Sequence, residues 1–189
     1  MSTFDRLAVC IATVALLAHG TGHAAPGFGR PATADEIAAW DISIPPDGRG
    51  LPPGSGTAKQ GAAVYVAKCV TCHGANGVGK PADALVGGIG TLAAAAPLKT
   101  VGSYWPYATT LFDYIRRAMP YDKPLSLSSD ELYAVSAYIL SLNGIIPEDA
   151  TMNSGTLPKV EMPNRHGFVD YRGVDRVLRA DQCPARIQA

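Results

Sequence analysis

Apolar positions recur most regularly between residues 128 and 144. Leu132, Val135, Tyr138, Ile139 and Leu142 fall at helical spacing, which predicts a helix with one face turned to a core. Ser128-Ser-Asp-Glu131 has the form of a capping box at its start, and Asn143-Gly144 supplies the stop. A second helix is predicted over Thr110 to Ala118, with Phe112 and Ile115 inward and a weaker cap in Thr110-Leu-Phe-Asp113. Met119-Pro120 ends it, because proline disfavours helical geometry in the residue before it. An earlier helix is predicted from Thr57 to Cys69, with Val64, Tyr65 and Lys68 spaced for one face. Gly61 stands one turn before Tyr65, where a missing side chain lets another helix approach. A short helix opens at Thr33-Ala-Asp-Glu36, another capping box, and runs through Ile37 towards Trp40. No strand, internal repeat or low-complexity tract stands out. The pattern predicts an all-α fold of short helices.

The stretches between these helices are irregular. Residues 45–56, PPDGRGLPPGSG, suit neither a helix nor a central strand. Residues 81–108 hold Gly87-Gly88-Ile89-Gly90 and an alanine run before Pro97. Residues 145–189 carry prolines, an Asn-Arg-His-Gly turn and scattered charge, with a short helix expected near Val174 to Ala180. With 20 glycines and 15 prolines in 189 residues, the chain predicts one loop-rich domain with tails. Lys+Arg and Asp+Glu both number 16, so no basic excess points to nucleic acid or an anionic membrane surface.

The N-terminus predicts export. Arg6 precedes an apolar run of 12 residues, Leu7 to Ala18, broken only by Thr13, and Gly22-His23-Ala24 resembles a cleavage site. The run is too short for a typical spanning helix, so no membrane span is expected after cleavage near Ala25. The expected divisions are a signal peptide over 1–24, an extended segment over 25–56, a central domain over 57–145 and an extended tail over 146–189. Cleavage removes Cys10 and leaves Cys183 as an odd tail cysteine beside the pair at 69 and 72.

The chemistry concentrates in Cys69-Val-Thr-Cys72-His73. Two thiols three apart with a histidine directly after the second form the attachment pattern of c-type haem. On a helical turn, residues i and i+3 share a face. Cys69 and Cys72 therefore reach the two vinyl groups on one porphyrin edge, and His73 sits under the ring as an iron ligand. A zinc site would want a second ligand pair at suitable spacing, and a redox dithiol would want a strand and a βαβ context; neither is visible. A low-spin iron needs a sixth ligand. Met119 is the choice, since it sits where a helix ends and Pro120 stiffens the loop; Met162 is its rival, with Met152 and His166 behind. Haem propionates need donors. Trp105 and one arginine of the Arg116-Arg117 pair, Arg116, are the candidates. The expected fold is thus cytochrome c-like, with short helices around one covalent haem c.

Three stretches carry a closer resemblance. Residues 125–144 resemble many bacterial cytochrome c domains. Thr100-Val-Gly-Ser-Tyr-Trp-Pro-Tyr-Ala-Thr-Thr-Leu-Phe-Asp-Tyr-Ile-Arg-Arg-Ala-Met-Pro120 is similar to the cytochrome subunit of sulfite or sulfane dehydrogenases, as is Leu157-Pro-Lys-Val-Glu-Met-Pro-Asn-Arg-His-Gly-Phe168. The resemblance as a whole covers about residues 40 to 168. The resemblance implies haem attachment at Cys69 and Cys72, ligation by His73 and Met119, and a molybdenum-cofactor subunit as electron donor. Some members carry a second haem domain; this chain has a single attachment motif. The expected role is periplasmic electron transfer towards a downstream cytochrome or oxidase, without catalysis of its own. A carrier for an alcohol or aldehyde dehydrogenase, or a small haem enzyme, are the alternatives.

Overall fold

The computed structural model describes residues 29–168. Within these, helices dominate and one two-stranded sheet is present. The chain divides into two units, Met1–Asp41 and Ile42–Ala189. The predicted signal peptide, Cys10, Cys183 and the predicted helix near Val174 lie outside the described residues.

The first unit contributes helix α1, Ala34–Trp40, with the expected Thr33/Glu36 capping box. The second unit runs β1 (Ser55–Thr57), α2 (Ala58–Lys68), α3 (Val70–His73), α4 (Ala108–Ala118), α5 (Ser129–Leu142) and β2 (Thr151–Asn153), with single 3-10 turns at Ala75–Gly77 and Leu157–Lys159.

Helix α5 is the hub, packing against α2, α4 and both strands. Its Ser128/Glu131 capping box forms as expected. Leu132, Val135 and Ile139 of the predicted stripe are buried, but so are Tyr133, Ala134, Ala137 and Leu140. A helix with neighbours on several sides needs more than one apolar face. Phe112 of α4 meets Tyr133 with ring centroids 4.7 Å apart, and the Tyr133 hydroxyl donates to Pro52 O at 2.9 Å.

Helix α2 begins one residue later than expected, because Thr57 serves as its N-cap in a capping box with Gln60. Its buried face is Ala58, Gly61 and Tyr65. Gly61 lies directly on the Ala134 backbone of α5: an added Cβ would collide with Ala134 O and stand 2.8 Å from Tyr138 Cβ. One turn on, Tyr65 packs on Tyr138 at 5.3 Å.

Three expectations change. A strand pair exists: β1 and β2 are antiparallel, with Gly56 opposite Met152. Three-residue strands are too short to show a period of two. Helix α4 begins at Ala108, and Thr110 does not cap it. Asp113 is used elsewhere, accepting from Ile44 N at 3.0 Å and pairing with Arg117 at 3.0 Å. The described part of the tail, residues 146–168, holds β2, several turns and a 3-10 turn and packs on the domain, since Met152, Leu157, Val160 and Met162 are all buried.

Two measurements test this packing. Gly61→Ala should lower unfolding stability by ~2–3 kcal/mol in a denaturant titration, because the clash is with backbone that cannot rotate away; an effect below ~0.5 kcal/mol would contradict the close approach. Glu131 pairs with Lys68 at 2.7 Å, both side chains being about a third exposed. The hydrogen bond from Lys68, with the Ser128 backbone bond behind it, holds the Glu131 carboxyl below its usual range. Its stabilisation is therefore complete above the unfolded carboxylate value of roughly 4.3 and fades as pH falls through the lower folded value. Glu131→Gln should reduce the stability lost on acidification by ~0.5–1 kcal/mol, solvent screening keeping it small.

Candidate functional site

The CVTCH segment lies where α2 breaks into α3. Cys69 ends α2 with φ −125° and ψ −33°. The turn re-forms behind it, with Cys72 N and His73 N both bonded to Cys69 O at 3.2 and 3.0 Å. The following loop folds back on the motif: Gly79 N donates to His73 O at 2.8 Å and Ala82 N to Cys72 O at 2.9 Å. Gly74, Asn76, Gly77 and Gly79 take positive φ there, which permits so tight a return. The Tyr65 hydroxyl donates to Gly74 O at 2.8 Å, and burial pushes that phenol up to about 12.

The return orients the histidine. His73 Nδ1 lies 3.0 Å from Asp83 O. A carbonyl only accepts, so Nδ1 carries the proton and Nε2 keeps its lone pair for a metal. A ligand imidazole is commonly held in this way through its other nitrogen. Buried Asn143 fastens the next part of the loop, its amide donating to Leu85 O at 3.2 Å and its oxygen accepting from Gly87 N at 3.1 Å.

Cys69, Cys72, His73 and Met119 line one cavity of about 510 Å³. Leu111 and Ile115 of α4, Val135 and Ile139 of α5, and Leu85 and Val101 of the long loop form its apolar walls. Met119 follows the last residue of α4 with extended backbone, φ −123° and ψ 146°, as its proline neighbour requires. Trp105 also lines the cavity, its ring edge-on to Tyr114 at 5.5 Å. Burial among apolar groups pushes the Cys69 thiol up to about 11, so it favours the uncharged state that a thioether makes permanent.

Other sequence candidates lie elsewhere. Met152 and Met162 are core residues and His166 is exposed; none lines the cavity. Arg116 does not line the cavity, and its guanidinium donates to Ile42 O at 3.3 Å. Arg117 reaches Ser43 Oγ at 2.9 Å. The pair ties the segment 42–44 to α4. The cation at the cavity is Lys68, which sequence reasoning had placed on a packing face. The wall residues Val135 and Ile139 were visible as an apolar stripe, but nothing in that periodicity separates a cavity wall from a solid core.

Among the described residues no three His, Cys, Asp or Glu side chains group to hold a metal ion by themselves. Two thiols at one edge, an imidazole with a free nitrogen and a thioether facing the same apolar space do fit a haem c.

Comparisons with known proteins agree. One chain in the crystal structure of the sulfane dehydrogenase SoxCD from Paracoccus pantotrophus superposes with a TM-score of 0.73 and 38% sequence identity, covering 87% of this chain and 82% of that one. This chain belongs to the cytochrome c family. A family profile described as cytochrome C oxidase, cbb3-type, subunit III matches the cytochrome over residues 56–139. A search of the curated proteins found no match. The fold is the expected one, and the domain is a cytochrome c electron-transfer domain whose cofactor is haem c; bound here, that group supplies one-electron redox chemistry. No helix among the described residues of the cytochrome is long and apolar enough to cross a membrane.

Met119 is tested by spectroscopy. Met119→Ala should abolish the weak long-wavelength band of a thioether-ligated ferric haem and lower the reduction potential. Met162→Leu should leave both as in wild type. Persistence of the band in Met119→Ala would move the ligand to another residue.

Proposed function

We propose that this cytochrome is the haem subunit, or a dedicated carrier, of a periplasmic molybdenum-cofactor dehydrogenase that oxidises sulfite or protein-bound sulfane sulfur. Cys69 and Cys72 would attach one haem c, and His73 and Met119 would hold its iron. The observation that carries this reading is the 38% identity over most of both chains to a component of a sulfane dehydrogenase, joined to a cavity in which all four haem-binding side chains meet.

The residues divide the work. His73 is held to one tautomer by the Asp83 carbonyl and presents a fixed nitrogen donor. Met119 gives a soft neutral donor, which with histidine raises the reduction potential. The apolar walls exclude water and add no charge of their own. His73 and Met119 would hold the iron of a bound haem between them, and a group held by both residues would serve electron transfer rather than independent catalysis of oxygen or peroxide chemistry. Electrons then pass from the dehydrogenase to a downstream cytochrome or oxidase. Residues 1–24 act as the export signal, in keeping with haem attachment outside the cytoplasm.

Co-purification from native periplasm, followed by reduction assays, tests the assignment. The mature protein should carry the mass of one haem that survives denaturation. Sulfite or a protein-bound sulfane donor should reduce the haem only in the presence of the co-purified molybdenum protein. Recovery of a quinoprotein dehydrogenase instead, with no reduction by sulfur donors, would transfer the cytochrome to alcohol or aldehyde oxidation.

A further inference from the structure

Helix α1 is well made, yet it buries none of its own residues. Thr33 Oγ1 accepts from Glu36 N at 3.3 Å, and Glu36 Oε2 accepts from Thr33 N at 2.8 Å. Ile37 is 55% exposed and Trp40 86%, and their spacing of three places both on one side of the helix. Seven residues fall well short of the roughly 12–15 that an isolated helix needs in water. A tryptophan hides ~150–250 Å² when it is covered, so this face gains from a partner.

Charge and area narrow the choice of partner. Arg30 is paired with Glu36. Among the described residues Asp35 and Asp41 take part in no ion pair, which leaves an apolar face with negative flanks. Ile37 and Trp40 together offer on the order of 300 Å², far below the ~800 Å² that each side of a standard interface buries. A second copy held by this face alone would not form a stable pair. The face is adequate only as an addition to a contact that the same chain makes elsewhere, where tethering raises the effective concentration. A cytochrome meets both a donor and an acceptor, and on the assignment above the lasting contact is with the donor, of which it is the haem subunit.

We propose that α1 is a docking arm, in which Ile37 and Trp40 enter an apolar pocket rimmed by Lys or Arg on the dehydrogenase subunit that reduces the haem. This rests on the donor assignment made above. It makes residues 33–41 a determinant of which dehydrogenase the cytochrome serves, apart from the haem-binding domain.

The test measures binding of the holo-cytochrome to the molybdenum dehydrogenase that co-purifies with it. Trp40→Ala should weaken Kd at least about thirtyfold, mostly through faster dissociation. Trp40→Phe should recover part of that loss. Asp35→Asn combined with Asp41→Asn should slow association severalfold and flatten its salt dependence. The absorption spectrum and reduction potential of the isolated variants should match wild type. An unchanged Kd for Trp40→Ala beside an intact wild-type complex would overturn the arm and leave the donor assignment standing. Failure of the wild-type cytochrome to bind or be reduced by any molybdenum dehydrogenase removes the donor assignment, and the arm with it. A dimer of the cytochrome alone that Trp40→Ala dissolves would assign the face to a second copy and also overturn the proposal.

Discussion

The close crossing of α2 over α5 sets the position of everything that touches the cofactor. It exists because Gly61 presents no side chain to Ala134, so the backbones meet directly, and Gly56 of β1 lets the strand before α2 approach the same residue. Helix α2 ends eight residues beyond Gly61 at Cys69, and its direction at that point fixes where the thiols and His73 emerge. Helix α5 in turn contributes Val135 and Ile139 to the opposite wall. A bulkier residue at the crossing would alter both sides of the cavity together, since packed interiors transmit displacement rather than absorb it.

From that crossing the loop is built by hydrogen bonds more than by packing. The carbonyls of Cys72, His73 and Gly77 accept from Ala82, Gly79 and Leu85, and Asn143 ties Leu85 and Gly87 to the end of α5. The outcome is that Asp83 O stands 3.0 Å from Nδ1 of His73. A loop with four positive-φ positions between residues 74 and 79 would be loose in isolation. Here its backbone groups are spent on the motif itself, so the loop sets the orientation of the His73 ring.

How much of this was legible depends on whether a feature is local. The capping boxes at Thr33 and Ser128, the stripe of α5 and the haem motif are local patterns of residue type, and each appears where its spacing indicated. The helix end at Met119 was legible for the same reason, because Pro120 acts on its immediate neighbour. The bond from Arg116 to Ile42 O was not legible, because a propionate and a carbonyl oxygen 74 residues away make the same demand on a guanidinium. The β1–β2 pair and the burial of Met152 and Met162 were illegible, since they depend on a tail returning across the domain. Methionine at those positions shows why residue type alone is a weak guide: the thioether that can ligate iron also fills irregular gaps.

The two sulfur roles explain why the walls around Met119 are apolar. An iron centre that gains one electron loses one unit of positive charge, and surroundings poor in dipoles favour the less charged form. A neutral thioether acts in the same direction. Leu111, Ile115, Val135 and Ile139 therefore do more than exclude water, because they reinforce the electronic effect of the ligand chosen at the end of α4. Lys68, at the cavity and bonded to Glu131, has its charge largely balanced by its partner. On the proposed ligation the site is tuned by what it omits, and an electron carrier with a raised potential follows from hydrophobic packing as much as from the residues that touch the metal.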